Sequence, residues 1–240
     1  MSKEPNMPQS VKLPDVGEPK LQPKQASGYR IAIAIAISLW VVVTHYHFVR
    51  RGVWNPFTSH ELNAIFLANK GLAISAVLMI SISVLLGPLA RWFQPFKGYV
   101  GYRKEIGLVG GMLAGVHIVV SLFFLPEQFP LSWYAEHIPA LLMGIAALIT
   151  LIIITVHSTG PALRRVGYRR WKMIQRLVYP TLIFAMAHYM LMGKPANWVR
   201  WSQTMETPLP PGTLVTTVAV VLVLIVRLFA MLPNRREHEP

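Results

Sequence analysis

The chain has 240 residues, 53% of them hydrophobic, no cysteine and a formal charge of +13. Without cysteine there are no structural disulfides, no thiolate metal sites and no cysteine nucleophile. The charge would suggest nucleic acid in a soluble protein, but its placement excludes that partner. Seventeen lysines and arginines lie before the first apolar run, between the second and third, between the fourth and fifth, and at the end of the sixth, whereas four lie in the alternate loops.

The runs are Ile31 to Val49, Ala64 to Leu86, Ile106 to Leu125, Ile138 to Val156, Ile174 to Met192 and Leu214 to Leu232. Each is close to the roughly 20 residues that cross a hydrocarbon core. No water reaches that core, so backbone groups must be satisfied within each run, which means helices. The expected fold is all-α, an integral membrane bundle of six transmembrane helices. The basic loops mark the cytoplasmic side and put both termini there. The expected division is a Pro/Lys-rich cytoplasmic tail over 1–28, the bundle over 29–233 and a short tail over 234–240. The first tail has no apolar run and is not a signal peptide.

Along the chain, His45 and His47 fall near the outer end of span one, followed by Asn55-Pro56 and His60. Close to the interface, His45 and His47 are read as solvated or hydrogen-bonded before they are read as ligands. Span two carries Lys70, a candidate partner for an anionic group that could equally snorkel to the surface. Gly87-Pro88 is expected to close this span. The loop to Tyr102 interleaves Trp92, Phe93, Phe96 and Tyr99 with Arg91 and Lys97, as an inner-interface anchor would.

Span three holds Gly107, Gly110, Ala114 and His117 at helical spacing, a face almost free of side chains that would admit a neighbouring helix or a flat cofactor. Pro126 and Pro130 end it, and His137 and His157 flank span four as interfacial residues. Span five contains Pro180, expected to bend it, and His188. A short interfacial helix with Trp198 and Trp201 is expected between Gly193 and Gly212. Arg227, in span six, can snorkel inward. No internal repeat is visible, which weakens an inverted-repeat transporter.

Ionisable residues inside spans are functional candidates. His117 and His188 fall at nearly the same depth, in the outer half of the bilayer. Two neutral imidazoles facing each other across a bundle are what an iron porphyrin needs as axial ligands. Packing or hydrogen-bonding histidines, and an ion pathway, remain open beside that reading. There is no phosphate-binding glycine loop, and Glu105 and Glu136 are not paired with a nucleophile.

The order and spacing of several pieces resemble the ferric reductase-like transmembrane family. They are Gly71, Gly87-Pro88-Leu89 with Arg91, Tyr102 to Leu108 leading to His117, and Ser158. Arg164 to Gly167, Arg170-Trp171-Lys172, Arg176 to Tyr179 and His188-Tyr189 continue the series. The resemblance implies a six-helix bundle that moves electrons through b-type haem, with His117 and His188 as iron ligands and Gly110, Ala114 and Lys70 beside the cofactor. It also implies a bacterial cytoplasmic membrane and a larger redox complex.

Two departures shape that expectation. Where the family carries a histidine on helix five this chain has Gln175, and where two-haem members carry one on helix three it has Arg103. Neither is an ordinary haem ligand, so one haem, the outer one, is expected. The sequence ends eight residues after Leu232, where ferric reductases and the NADPH oxidases of this fold continue into a flavin and nucleotide domain. Electrons are therefore expected from another subunit, a quinol or an outer-side redox protein; a flavin or quinone cofactor stays open. The reading is a redox subunit rather than a complete enzyme. A haem-free docking subunit and a transporter or channel are its rivals.

Overall fold

Long apolar runs can satisfy their backbone out of water only through helices, and the computed structural model is helical in all its regular elements among the described residues, 23–54 and 63–231. The expectations for 1–22, Asn55-Pro56, His60 and 232–240, with Arg235, Arg236 and His238, lie outside the described residues. Helix α1 (Pro23–Phe48) runs into a π-helical turn, Val49–Val53; α2 (Ala64–Trp92) is followed by a 3-10 segment, Gln94–Tyr102, and by α3 (Arg103–Phe123). Then come α4 (Leu131–Glu136), α5 (Ile138–His157), α6 (Gly160–Val166), α7 (Tyr168–Gln175), α8 (Val178–Leu191), α9 (Lys194–Thr204) and α10 (Gly212–Met231).

Among the described residues, five stretches are long and apolar enough to cross a membrane: Ser27–Val53, Ala64–Trp92, Gln94–Phe123, Ile138–His157 and Gly212–Ala230. The chain is thus a multi-pass membrane protein. The remaining expected run, Ile174 to Met192, is divided between α7 and the 14-residue α8. Pro180 causes the division, because it has no N–H for the Arg176 carbonyl and its ring crowds that carbonyl. The backbone tightens instead: Arg176 N–H bonds Met173 O at 3.1 Å, Leu177 N–H bonds Ile174 O at 3.0 Å and Tyr179 N–H takes the Arg176 carbonyl at 3.1 Å. The four-residue pattern resumes at Thr181, which donates to Leu177 O at 3.0 Å.

Two boundaries differ from expectation. Helix α1 starts at Pro23, inside the expected tail, with proline at a helix start where a missing N–H is harmless. Helix α2 does not stop at Gly87-Pro88 but continues to Trp92. One lost backbone bond is outweighed there by packing and by Arg91, whose Nη1 donates to Ala230 O on α10 at 2.7 Å. At its other end α2 is capped by Asn63, whose Oδ1 accepts from the N–H of Ile65 and Phe66 at 2.9 and 3.2 Å.

Helix α2 belongs to two cores. On one side Met79 and Leu86 pack with Ala32 and Ala36 of α1 and Ile106 and Val109 of α3. On the other, Ile80 and Val84 pack with Leu182 of α8 and Val220 and Val223 of α10. Helix α8 lies along α5, and Thr181 Oγ1 donates to Thr150 Oγ1 across that interface at 2.8 Å. Helices α3 and α5 touch only sparsely, which leaves a gap between the α2–α3 pair and the α5–α8 pair.

Helix α1 crosses α2 closely at Gly71, where an added Cβ would come within 3.3 Å of the Thr44 Cβ and closer still to its hydroxyl. Gly71→Ala is expected to destabilise the folded chain by about 1–3 kcal/mol, and Thr44→Ala in the same chain to recover most of the loss. Gly98→Ala, with nothing near its added Cβ, is expected to change little. Unfolding in mixed micelles checks all three.

Candidate cofactor site between two helix pairs

The site is organised by a residue that the sequence did not single out. Asn69 of α2 is 2% exposed, and its amide meets two groups of α3. Its Nδ2 donates to Ser121 Oγ at 2.8 Å, and its Oδ1 lies 2.9 Å from His117 Nδ1. Ser121, one turn beyond His117, donates its hydroxyl proton to the His117 carbonyl at 2.8 Å. The hydroxyl can then only accept from Asn69, which fixes the amide with Oδ1 toward the imidazole. His117 Nδ1 must carry the proton, and its Nε2 keeps the lone pair.

His188 is fixed in the same manner from the other helix pair. Its Nδ1–H donates to the Ala140 carbonyl of α5 at 2.8 Å. The ring lies against Gly144, where an added Cβ would be 2.9 Å from Nδ1 and 3.2 Å from Cε1. The two imidazoles are within electrostatic range of each other. Neither Nε2 has a hydrogen-bond partner, and neither is sealed from the surface among the described residues. Each ring is thus held through Nδ1 and leaves its Nε2 without a hydrogen-bond partner among the described residues, one on α3 and one on α8.

The other expected residues divide. Gly110 is pressed against α2: an added Cβ would lie 2.9 Å from Met79 Cβ and 3.2 Å from the Ala76 carbonyl. Its small size thus serves helix packing at that point. Gly111 instead faces Leu151 of α5 at 3.5 Å. At 100° per residue, Ala114 lies between those two bearings on α3. Lys70 follows Asn69 in α2, but its ammonium sits over the Phe66 ring, 4.2 Å from the centroid, and within electrostatic range of His47.

The remaining histidines are occupied elsewhere. His45 is exposed and stacks on Phe48. His47, expected to be solvated or hydrogen-bonded, is buried with Nε2 unpartnered and Cε1 2.9 Å from where a Cβ of Gly212 would be. The segment leading into α10 closes over it through Tyr46, which donates to Pro210 O, and Arg50, whose Nε donates to Leu209 O at 3.1 Å. His137 bonds Trp133 O at 2.8 Å and stacks on that indole at 4.3 Å, and His157 bonds Ile153 O at 2.8 Å.

Among the described residues no three His, Cys, Asp or Glu side chains gather as a metal cluster. An iron porphyrin brings four donors of its own and asks the protein for two, so the pair of oriented imidazoles fits it. At the other end of the bundle the residues standing in place of ligands are engaged. Arg103 Nε donates to Ser83 O at 2.9 Å, Ser83 Oγ donates to Arg103 O at 2.6 Å, and Gln175 Nε2 donates to Ser158 Oγ at 3.3 Å. Asn69 and Gly144 had one faint signal each, a polar side chain in an apolar run and the single glycine of Ile138 to Val156.

Comparison with known proteins finds similar sequences. The model described as ferric reductase like transmembrane component matches residues 72–187, just under half of the chain. It encloses His117 and ends one residue before His188. The protein-methionine-sulfoxide reductase heme-binding subunit MsrQ of Ralstonia nicotianae is 23% identical over 158 residues, 65% of this chain and 72% of that one. The subunits of the same name from Azospira oryzae and Agrobacterium fabrum are 24% and 31% identical, covering 72% and 51% of this chain and 71% and 57% of their own lengths.

Asn69→Leu would strand the His117 Nδ1–H without an acceptor in a buried setting. A loss of about 1–3 kcal/mol of folding stability is expected, measured by unfolding in detergent. Asn69→Gln, which keeps the amide at a longer reach, is expected to recover part of it.

Proposed function

From the resemblance of this chain to the ferric reductase-like transmembrane family, we propose that it is a membrane electron-transfer subunit carrying one b-type haem near the outer face, with His117 and His188 as the axial ligands. The observation that carries the reading is the pair of imidazoles, each held through Nδ1 by a protein acceptor and each with an Nε2 that has no partner among the described residues. A haem iron held by two imidazoles takes up and releases one electron.

The chain's own residues then have defined tasks. The Asn69 amide and the Ala140 carbonyl hold the two rings in one tautomer and orientation, which keeps the nitrogen facing the iron unprotonated. Gly144 lets the His188 ring lie close to α5, and the small side chain of Ala114 would leave room for a flat group beside α3. Lys70 supplies a positive charge at the same end of the bundle, suited to a propionate. At the opposite level the hydrogen bonds of Arg103 and Gln175 favour a single haem over two.

In this reading α7 and α8 together make the sixth crossing, the described bundle is the domain expected over 29–233, and both ends of the chain are cytoplasmic. The membrane is the cytoplasmic membrane of a bacterium. The relatives' names describe heme-binding subunits of a methionine sulfoxide reductase. By analogy this chain passes electrons to or from another protein subunit, with a quinol or an outer-side redox protein as its exchange partner.

His117→Ala and His188→Ala are each expected to abolish haem binding, seen as loss of the sharp reduced α-band, while His45→Ala and His157→Ala leave it intact. Pyridine haemochrome analysis is expected to give one haem per polypeptide. A ratio near two, or a normal low-spin spectrum in either ligand variant, would displace the assignment. Tags at either terminus are expected to react only from the cytoplasm, in agreement with the distribution of lysine and arginine; labelling from outside would move the site to the inner half.

A further inference from the structure

Away from the two histidines, two arginines converge on one point. A β-carbon built on Gly87 would lie 3.0 Å from Nη1 of Arg103 and 3.4 Å from Nη1 of Arg227. The guanidiniums come from α3 and α10, and the absent side chain of Gly87, on α2, makes room for both. Each is anchored by its Nε: Arg103 to the Ser83 carbonyl at 2.9 Å, and Arg227 to the Tyr179 hydroxyl at 2.6 Å. With the Nε fixed, the Nη ends are held together in spite of their like charge.

Neither guanidinium is paired with a carboxylate among the described residues. Glu105, the acidic residue nearest Arg103 in sequence, is buried against Gly28 of α1, with its Cγ 3.2 Å from where a Cβ there would be. Both arginines are half-buried in a membrane protein, where water screens poorly, so two adjacent positive charges call for an anion. The donors suit an oxyanion: the Nη groups of two planar forks, and the Tyr179 O–H, which accepts from Arg227 and has no acceptor of its own.

We propose that Arg103, Arg227 and Tyr179 form a phosphate-group site around Gly87, occupied by the headgroup of an anionic phospholipid. The lipid source is favoured by what surrounds this end of α2. Trp92, Phe93, Phe96 and Tyr99 are all exposed there, with Lys97 among them, which is how a protein meets the headgroup level of a bilayer. A diester phosphate at that level can reach between the helices while its acyl chains stay in the hydrocarbon.

The test uses the full chain, purified in mild detergent and returned to nanodiscs of phosphatidylcholine with or without phosphatidylglycerol. Retained phosphatidylglycerol is counted by native mass spectrometry, and the unfolding temperature is recorded in both discs. The wild-type chain is expected to retain phosphatidylglycerol and to unfold at higher temperature in its presence. Arg103→Gln and Arg227→Gln are each expected to weaken that retention about tenfold, and Arg200→Gln, far from the site, to leave it unchanged. If either glutamine variant does not fold, Arg103→Lys and Arg227→Lys keep the charge without the fork and are expected to weaken retention less.

A wild-type chain indifferent to both phosphatidylglycerol and inorganic phosphate would overturn the site, as would equal retention in the glutamine variants. Stabilisation of the phosphatidylcholine sample by millimolar inorganic phosphate, with no preference for the charged lipid, would keep the phosphate site and refute the lipid as its occupant. None of these readouts requires haem.

Discussion

The buried amide of Asn69 has only one way to be satisfied, and the arrangement at His117 depends on it. Out of water, an amide that points the wrong way faces donor to donor, and the cost is that of an unmade hydrogen bond in a poorly screened environment. Because Ser121 returns its proton to the backbone, the amide cannot be flipped without losing both contacts. The tautomer and orientation of an imidazole on α3 are thereby decided by an apolar helix alongside it.

The same helix divides the molecule. Helix α2 shares one core with α1 and α3 and another with α8 and α10, while α5 is held mainly through α8. Each of the two imidazoles is anchored within its own half: His117 to α2, and His188 to α5. The distance between the two Nε2 atoms is therefore set by how the halves meet, not by any bond between the residues that face the gap. A flat group lodged between them would add contacts that the protein alone does not make.

Much of the architecture was legible because bilayer thickness imposes it. Block length alone marked five of the membrane-length helices found among the described residues. What could not be read depends on contacts between distant segments. The small-residue stripe of α3 left open whether Gly110 faced a helix or a cofactor, and only the position of Met79 decides that point. Gly87-Pro88 looked like a helix end because the local penalty of proline is visible in sequence, whereas the Arg91 bond to Ala230 that carries the helix past it is not. His47 was misjudged for the same reason, since the lid formed by the start of α10 lies 165 residues away in sequence, at Gly212.

The interruption at Arg176 and Leu177 has a mechanical consequence. A continuous helix is a stiff rod, and a push on its basic end would travel along it to His188. Here α7, held to the end of α5 by Trp171 on His157 O and by Gln175 on Ser158, is joined to α8 through tight turns rather than a regular helical ladder. Helix α8 takes its own position from α5 through Thr181 and His188. A load on α6 and α7 is therefore passed to the end of α5, through Trp171 and Gln175, before it can reach the imidazole on α8.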